Sequence, residues 1–297
     1  MIGTDDLVSH FLLANRDHRD ANHKSSGLWK ASMLGGCMRA QTYNRLKVPS
    51  YRSFDAGTLK TFSYGDTLHN WLKRFYRTSG VLLAEEGKLE APGLDLVGYF
   101  DVLLTSSVQD ITEEQRERWS PWWLEFVEKL RESARATFPD DGEVVIGEIK
   151  SISPYGFKYV RKEPKADHQL QIGAYMLMAR LDPDLLPAEP TGGRVIYISK
   201  DSKEPILEHD FEEQWAEDAA EIIDELCAYW AKDELPPCTC EGWQLSYCDY
   251  LHPDARTGAG KASKLAVAGK HCCSPDLHEP ALEAYKSAKA EEGDEAE

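Results

Sequence analysis

The chain has 297 residues, 42% of them hydrophobic and 29% charged, with a formal net charge of −17. This is the composition of a soluble globular protein of one large domain or two small ones; no apolar run approaches the length a membrane helix needs, and so large an acidic excess argues against a general nucleic-acid binder. The start, MIGTDDLVSHFLL, lacks the basic and apolar regions of a signal peptide, so a cytoplasmic protein is expected, in which seven cysteines point to metal rather than to a disulfide framework.

Charge is unevenly spread. Lys24 to Phe54 holds six basic residues and no acidic ones, and Lys150 to His168 holds five basic and two acidic. Glu279 to Glu297 reverses this with seven acidic and two basic residues, and 281–297 reads as a disordered acidic tail. A basic groove on an acidic body suits a polyanion; two ordinary solvated faces are the plain alternative.

In chain order, Thr4 is placed to cap a first helix whose apolar side is Leu7, Phe11, Leu12 and Ala14. The polar stretch DHRDANHKSSG is expected to end it, and His10, His18 and His23 share no helical face, so they read as surface residues. Trp29 to Lys47 predicts a second helix, interrupted at Gly35-Gly36 just before Cys37. Thr58 to Thr78 predicts a helix ending at Gly80. Val81 to Glu90 and Leu94 to Thr105 predict two strands joined by the turn APG.

Thr112 to Thr137 predicts an inserted helical pair, opened by a Thr112–Gln115 capping box and split at Pro121. Its face of Trp119, Trp122, Trp123, Phe126, Val127 and Leu130 is expected to pack on the core; stacking on single-stranded bases is the sharper alternative. Val144, Val145 and Ile146 open a buried strand, and Ala166 to Arg180 forms a helix. Gly193 to Ser199 and Pro205 to Phe211 are further strands, followed by an amphipathic helix from Phe211 to Lys232 with Cys227 on its apolar side.

Two of these strands carry charge. The strand from Val144 delivers Glu148 and Lys150, an E-x-K pair on one face because strand side chains alternate with period two. Taken alone, such a pair is an ordinary solvated strand edge. The run LDLVGYFDVLL adds Asp101, which is costly inside an apolar strand unless it is paired or binds a metal. On the helix beyond, His168, Gln171 and Tyr175 form one stripe.

The D…E-x-K set of Asp101, Glu148 and Lys150 resembles that of the PD-(D/E)XK nuclease superfamily. Three further motifs make the likeness specific to its RecB-like branch: G-x-x-x-H as Gly65 to His69, H-x-x-Q-x-x-x-Y as His168, Gln171 and Tyr175, and S-x-x-x-x-C-x-R as Ser32, Cys37 and Arg39. The chain is most similar to the CRISPR-associated and phage-encoded exonucleases that carry an iron–sulfur cluster, over roughly residues 28–252.

The resemblance implies an α/β fold, an αβββαβ mixed sheet flanked by helices with a helical, Cys-rich iron–sulfur subdomain. The expected division is 1–56 as a helical segment supplying one cluster cysteine, 57–235 as the nuclease core with the helical insertion 106–141, and 236–280 as the Cys-rich segment. It also implies phosphodiester hydrolysis of DNA, single-stranded or from ends, with Mg²⁺ or Mn²⁺ held by Asp101, Glu148, the Ile149 carbonyl and His69. Glu86 is a weaker acidic candidate. Lys150 would orient the attacking water, and Gln171 and Tyr175 would position a phosphate or nucleotide. Arg39, Lys158, Arg161, Lys162 and Tyr175 are expected on DNA, and recombination or integrase proteins are conceivable partners. A DNA-binding or processing subunit with little activity of its own is the alternative.

By the same resemblance, one N-terminal and three C-terminal cysteines hold a 4Fe-4S cluster. The set expected is Cys37, Cys240, Cys248 and Cys272, with Cys238 and Cys273 as alternates. Structural Zn²⁺ suits four thiolates equally well.

Overall fold

The computed structural model describes residues 3–22, 26–48, 50, 54–137, 141–199, 205–240, 248–250 and 283. The chain divides into two compact units: Met1–Thr61 with Gly93–Leu96 and Glu221–Glu297, and Phe62–Pro92 with Val97–Ala220. Among the described residues no helix is long and apolar enough to cross a membrane.

The first unit opens with α1 (Thr4–Asn22), which runs past the break expected before DHRDAN. The reason is local: the stretch is polar, but no glycine or proline interrupts it before Gly27. The second predicted helix is shorter than the sequence suggested. Trp29–Lys30 is a short strand, β1, Ala31–Met33 is a 3-10 turn, and helix α2 covers only Met38–Arg45. The glycine pair keeps the chain non-helical up to Cys37, which becomes the N-cap residue of α2. The buried Arg45 guanidinium lies 4.6 Å from the Trp29 ring centre and 3.8 Å from that of Trp230, with Nη2 3.2 Å from Asp95 Oδ2. This cation–π sandwich ties α2 to the strand-turn residues and the C-terminal helix within the unit.

The second unit is built from α3 (Ala56–Ser79), β2 (Leu82–Ala91), β3 (Leu96–Thr105), α4 (Glu113–Arg118), α5 (Pro121–Thr137), β4 (Val144–Ile152) and α6 (Pro154–Tyr159). It continues with α7 (Ala166–Leu181), β5 (Gly192–Ser199), β6 (Ile206–Asp210) and the start of α8 (Glu213–Ala231). The sheet is mixed: β2 pairs with β3, β3 runs antiparallel to β4, β4 parallel to β5, and β5 antiparallel to β6. Only the parallel pair needs a long crossover, which α6 and α7 supply.

Helices cover both faces. On one, Leu72 of α3 joins Val102, Leu104, Ile149, Ile196 and Ile198 in a buried cluster, with Leu68 and Tyr76 one turn to either side. On the other, α7 packs against β2, β4 and β5. The expected α/β architecture is therefore the observed one, and it follows from strands apolar on both faces.

Between β3 and β4 lie the two inserted helices. The capping box is formed: Thr112 and Gln115 each accept the other's backbone N–H. The expected inward face packs only in part: Val127 is buried and Trp119, Trp123 and Leu130 are half-buried, whereas Trp122 and Phe126 stay exposed. The stripe that goes inside is Val127, Arg131 and Ala134, while Trp122 stays 71% exposed. Arg131 explains the choice, because its guanidinium donates to the carbonyls of Thr78 (3.2 Å), Gln109 (2.9 Å) and Arg77 (3.4 Å). Two of these are orphan acceptors at the end of α3, where positive charge is favoured.

Helix α7 is buried nearly all round because α8 closes its second side. A Cβ at Gly173 would lie 2.0 Å from the Trp215 carbonyl oxygen, a backbone atom that cannot swing away. Gly173→Ala is expected to destabilise the protein by about 2–3 kcal/mol, the scale of overpacking a tight interior contact. Urea unfolding of the variant measures it, and an unchanged midpoint would show that the two helices separate freely.

Candidate active site

The β3–β4 ladder pairs Thr105 with Val144 through Val102 with Gly147. The next position outward holds Asp101 on one strand and Glu148 on the other. There the Ile149 amide donates to Asp101 Oδ2 at 2.7 Å. A carboxylate thus takes a backbone donor at the point where the two strands cease to pair.

Four elements supply the remaining side chains. Lys150, two residues beyond Glu148 on β4, donates to Glu148 Oε1 and to Gln171 Oε1, both at 2.9 Å. Gln171 Nε2 donates to the Tyr175 hydroxyl at 2.6 Å, one turn further along α7. That hydroxyl donates to the Tyr99 carbonyl at 2.6 Å and lies 3.2 Å from Glu148 Oε2. From α3, His69 Nδ1 and Lys73 Nζ each lie 3.7 Å from Asp101 Oδ1, and Lys73 donates to Glu86 Oε1 at 2.8 Å.

The G-x-x-x-H spacing has a geometric basis. A Cβ at Gly65 would come within 2.8 Å of Ser151 Oγ, so glycine lets α3 lie close to the end of β4 without displacing that hydroxyl. One turn later, His69 meets Asp101. Lys73 continues the stripe at i+4 and was missed in the sequence. The signal was there, since a lysine one turn from a motif histidine shares its face. It is 4% exposed and sets an ammonium beside Asp101 from the helix.

The electrostatics set the two carboxylates apart. Burial raises the Asp101 pKa, but His69, the Ile149 amide and Lys73 outweigh it and hold the carboxyl below its usual range. Burial pushes Glu148 up; Lys150 opposes this, and the nearby Asp101 charge adds to it. Burial also pushes the Tyr175 hydroxyl well up, so it stays protonated. Tyr175, expected also to contact DNA, is fully buried, and a side chain with no exposure holds the site from within instead of touching a nucleic acid. Gln171 is 3% exposed and is placed in the same way.

His168 lies beside this network with Nδ1 2.7 Å from the Tyr197 hydroxyl, which accepts the Lys165 amide at 3.0 Å. Burial, then Lys150, with Lys165 adding to them against Asp167, pushes the imidazole down to about 3. The unfolded chain, with a histidine near 6.5, then binds the extra proton that the folded chain refuses. Stability is complete above about pH 6.5 and falls as pH drops toward 3, by about 1.4 kcal/mol per pH unit. Urea unfolding at pH 7 and pH 5 is expected to show this fall, and His168→Gln to show less of it. An equal fall in both proteins would mean that His168 protonates freely in the fold.

In the first unit, the Cys37, Cys238 and Cys240 sulfurs all lie within 4.8 Å of one another, and Cys37 Sγ is 3.7 Å from Cys238 Sγ. Cys238, Cys248 and Cys37 in that order, with burial, push the Cys240 thiol up, whereas Cys240 pulls the Cys248 thiol down against burial. Cys248 therefore joins the group through Cys240, and Cys238, an alternate on sequence grounds, is one of its members. Cys272 and Cys273 lie outside the described residues, as does the acidic tail apart from Glu283. Arg39 Nε donates to the Pro236 carbonyl at 2.8 Å, so the arginine of the S-x-x-x-x-C-x-R motif docks the segment that carries Cys238. Cys227 stays out of the group.

Among the described residues, this is the one set of His, Cys, Asp or Glu that brings three ligand atoms within 4.8 Å. His69, Asp101 and Glu148, in the second unit, do not close into such a set. Lys158, Arg161 and Lys162 are exposed on and just after α6.

A family model for the PD-(D/E)XK nuclease superfamily matches residues 38–252, well over half of the chain. The chain belongs to the PD-(D/E)XK nuclease superfamily. No curated protein matches the sequence. Among solved structures, that of SSO0001 aligns over 84% of this chain and 96% of its own, with 18% identity and a TM-score of 0.45. The alkaline exonuclease LHK-Exo of Laribacter hongkongensis aligns over 74% of this nuclease and 93% of its own chain, with 12% identity and a TM-score of 0.40. Both scores are too low to bear on activity, so the chemistry rests on the superfamily and on the geometry of Asp101, Glu148 and Lys150.

Proposed function

We infer that this nuclease is a metal-dependent deoxyribonuclease of the RecB-like branch, hydrolysing phosphodiester bonds from DNA ends or in single strands. The observation that carries the reading is the Lys150 ammonium, held by Glu148 and Gln171 beside Asp101. An ammonium has three donors, and two are spent on those partners. The third remains for a phosphate oxygen or the attacking water. Gln171 and Tyr175 lock this arrangement from the buried side, so Lys150 and Glu148 lose little freedom on binding substrate.

The carboxylate pair fits a divalent cation. Asp101 is held ionised, while Glu148 is pushed toward neutrality by burial and by the Asp101 charge, and positive charge between them relieves both strains. Asp101, Glu148 and the Ile149 carbonyl are oxygen donors suited to Mg²⁺ or Mn²⁺, with His69 alongside. When bound, such an ion supplies positive charge for the scissile phosphate.

The crowded cysteines also fit a metal, because sulfurs this close oppose one another's ionisation unless a cation offsets the charge. Cys37, Cys238, Cys240 and Cys248 are the proposed ligands. The likeness to cluster-bearing exonucleases supports 4Fe-4S. One observation favours zinc as a second reading: the 3.7 Å between Cys37 and Cys238 is close to the spacing of about 3.8 Å for two thiolates on one tetrahedral ion with Zn–S near 2.3 Å. Iron content with visible absorbance, against zinc content, separates the two.

The test of the nuclease reading is cleavage of end-labelled single- and double-stranded DNA in Mg²⁺ or Mn²⁺, with Asp101→Ala alongside. Cleavage lost in the variant supports it. Undiminished cleavage in Asp101→Ala would take the chemistry away from this site, and a wild-type protein that binds DNA without cutting it would leave a DNA-binding subunit in its place.

A further inference from the structure

We propose that Tyr155 and Tyr159 form a base-stacking platform that gives the enzyme its preference for unpaired DNA. This rests on the nuclease reading, since it concerns the strand that the same site receives. Helix α6 starts directly after β4, and Tyr155 follows Lys150 by five residues. Its inner side is fixed. Phe157 and Val160 are 5% and 1% exposed, and His209 Nε2 donates to the Val160 carbonyl at 2.6 Å.

The outer side is the opposite. Tyr155 and Tyr159 are 70% and 66% exposed, one turn apart on the same face. Their ring centres lie 5.0 Å apart with planes at 66°, and their hydroxyls are 2.5 Å apart. Two rings are thus held as one unit in water, on a short helix anchored by its buried inner side. Lys158 lies on the same face, and Arg161 and Lys162 follow at once. None of the three has an ion-pair partner among the described residues.

Charge separates this surface from the other exposed aromatics, on α3 and α5. There Trp71, Phe75, Trp122 and Phe126 stand open, but the cations of α5 are already engaged: Lys129 by Glu125, Arg131 by backbone carbonyls, and Arg135 by Asp110. On α3, Lys73 and Arg77 are paired with Glu86 and Glu85, which leaves Arg74 alone beside Trp71 and Phe75, whereas the α6 face joins its two rings to three cations without ion-pair partners among the described residues. That combination matches a polyanion whose rings are accessible. A single strand offers base faces for stacking, whereas a duplex keeps them inside its own stack. The basic residues would track phosphates of either form, and the tyrosines would discriminate.

The experiment is fluorescence anisotropy of labelled oligothymidylate and of a blunt duplex of equal length, with no Mg²⁺ or Mn²⁺ added so that nothing is cut. Wild type is compared with Tyr155→Ala/Tyr159→Ala and with Tyr155→Phe/Tyr159→Phe. Loss of the rings is expected to weaken single-strand binding about tenfold or more, the scale of base–aromatic stacking, with duplex binding unchanged. The phenylalanine variant keeps the rings and is expected to bind as wild type does. Single-strand affinity unaltered in the alanine variant, or single strand and duplex weakened equally, overturns the platform. A wild type that binds single strands through these rings but cuts nothing in Mg²⁺ or Mn²⁺ upholds the platform and defeats the nuclease reading. Cleavage with no ring-dependent binding does the reverse.

Discussion

Lys150→Ala is expected to slow DNA cleavage by about a hundred- to a thousandfold, the range for removing one preorganised donor from a site where charge develops. The ammonium is anchored at 2.9 Å on both Glu148 and Gln171, so its remaining donor is aimed before substrate arrives. Alanine removes the donor and also leaves Glu148 without its cation. Burial already pushes that carboxyl up, and losing Lys150 pushes it further, so the group takes up a proton and loses its value as a metal ligand. The same change relieves the fold, because a neutral carboxyl is cheaper to bury than an unpaired carboxylate. The melting temperature is therefore expected to stay within a few degrees of wild type. Single-turnover cleavage at saturating Mg²⁺ measures the rate, and a variant within a few-fold of wild type would show that Lys150 is no part of the chemistry.

The second large effect is expected at the cysteines. Cys240→Ser should abolish the bound metal and lower the melting temperature by roughly 10 °C, since structural metal binding is folding free energy on a scale of several kcal/mol or more. Cys240 is the sensitive position because Cys238, Cys248 and Cys37 all act on it. Cys37 comes from the N-cap of α2 and the others from the C-terminal segment, so a metal here staples distant parts of the chain within one unit. Cys227→Ser is the control: its half-buried thiol lies outside the group and is expected to leave the metal content unchanged. Metal analysis beside thermal melts decides it. Full metal content and an unchanged melt in Cys240→Ser would leave the thiols as ordinary core residues.

The sequence by itself determined the fold class and the chemistry-bearing strand. Alternation placed Glu148 and Lys150 on one face of a buried strand, and the apolar runs on both strand faces required helices above and below the sheet. Local rules also decided the capping box at Thr112 and the split at Pro121, because those effects act within a few residues. Long-range placement decided the rest. Lys73 gained its role only when the close approach of α3 at Gly65 brought that helix beside Asp101. Tyr175 and Gln171 turned from expected substrate contacts into interior supports because α7 presents them to the sheet, where Tyr175 bonds the Tyr99 carbonyl and Gln171 accepts from Lys150. Arg131, unremarked in the sequence, outcompeted the neighbouring tryptophans for the inside because only the tertiary structure offers it the end carbonyls of α3. The choice of Cys238 beside Cys37 and Cys240 was likewise invisible to spacing. A thiol's neighbours across some two hundred residues are set by the packing of α2 against the C-terminal segment, and no local pattern encodes that distance.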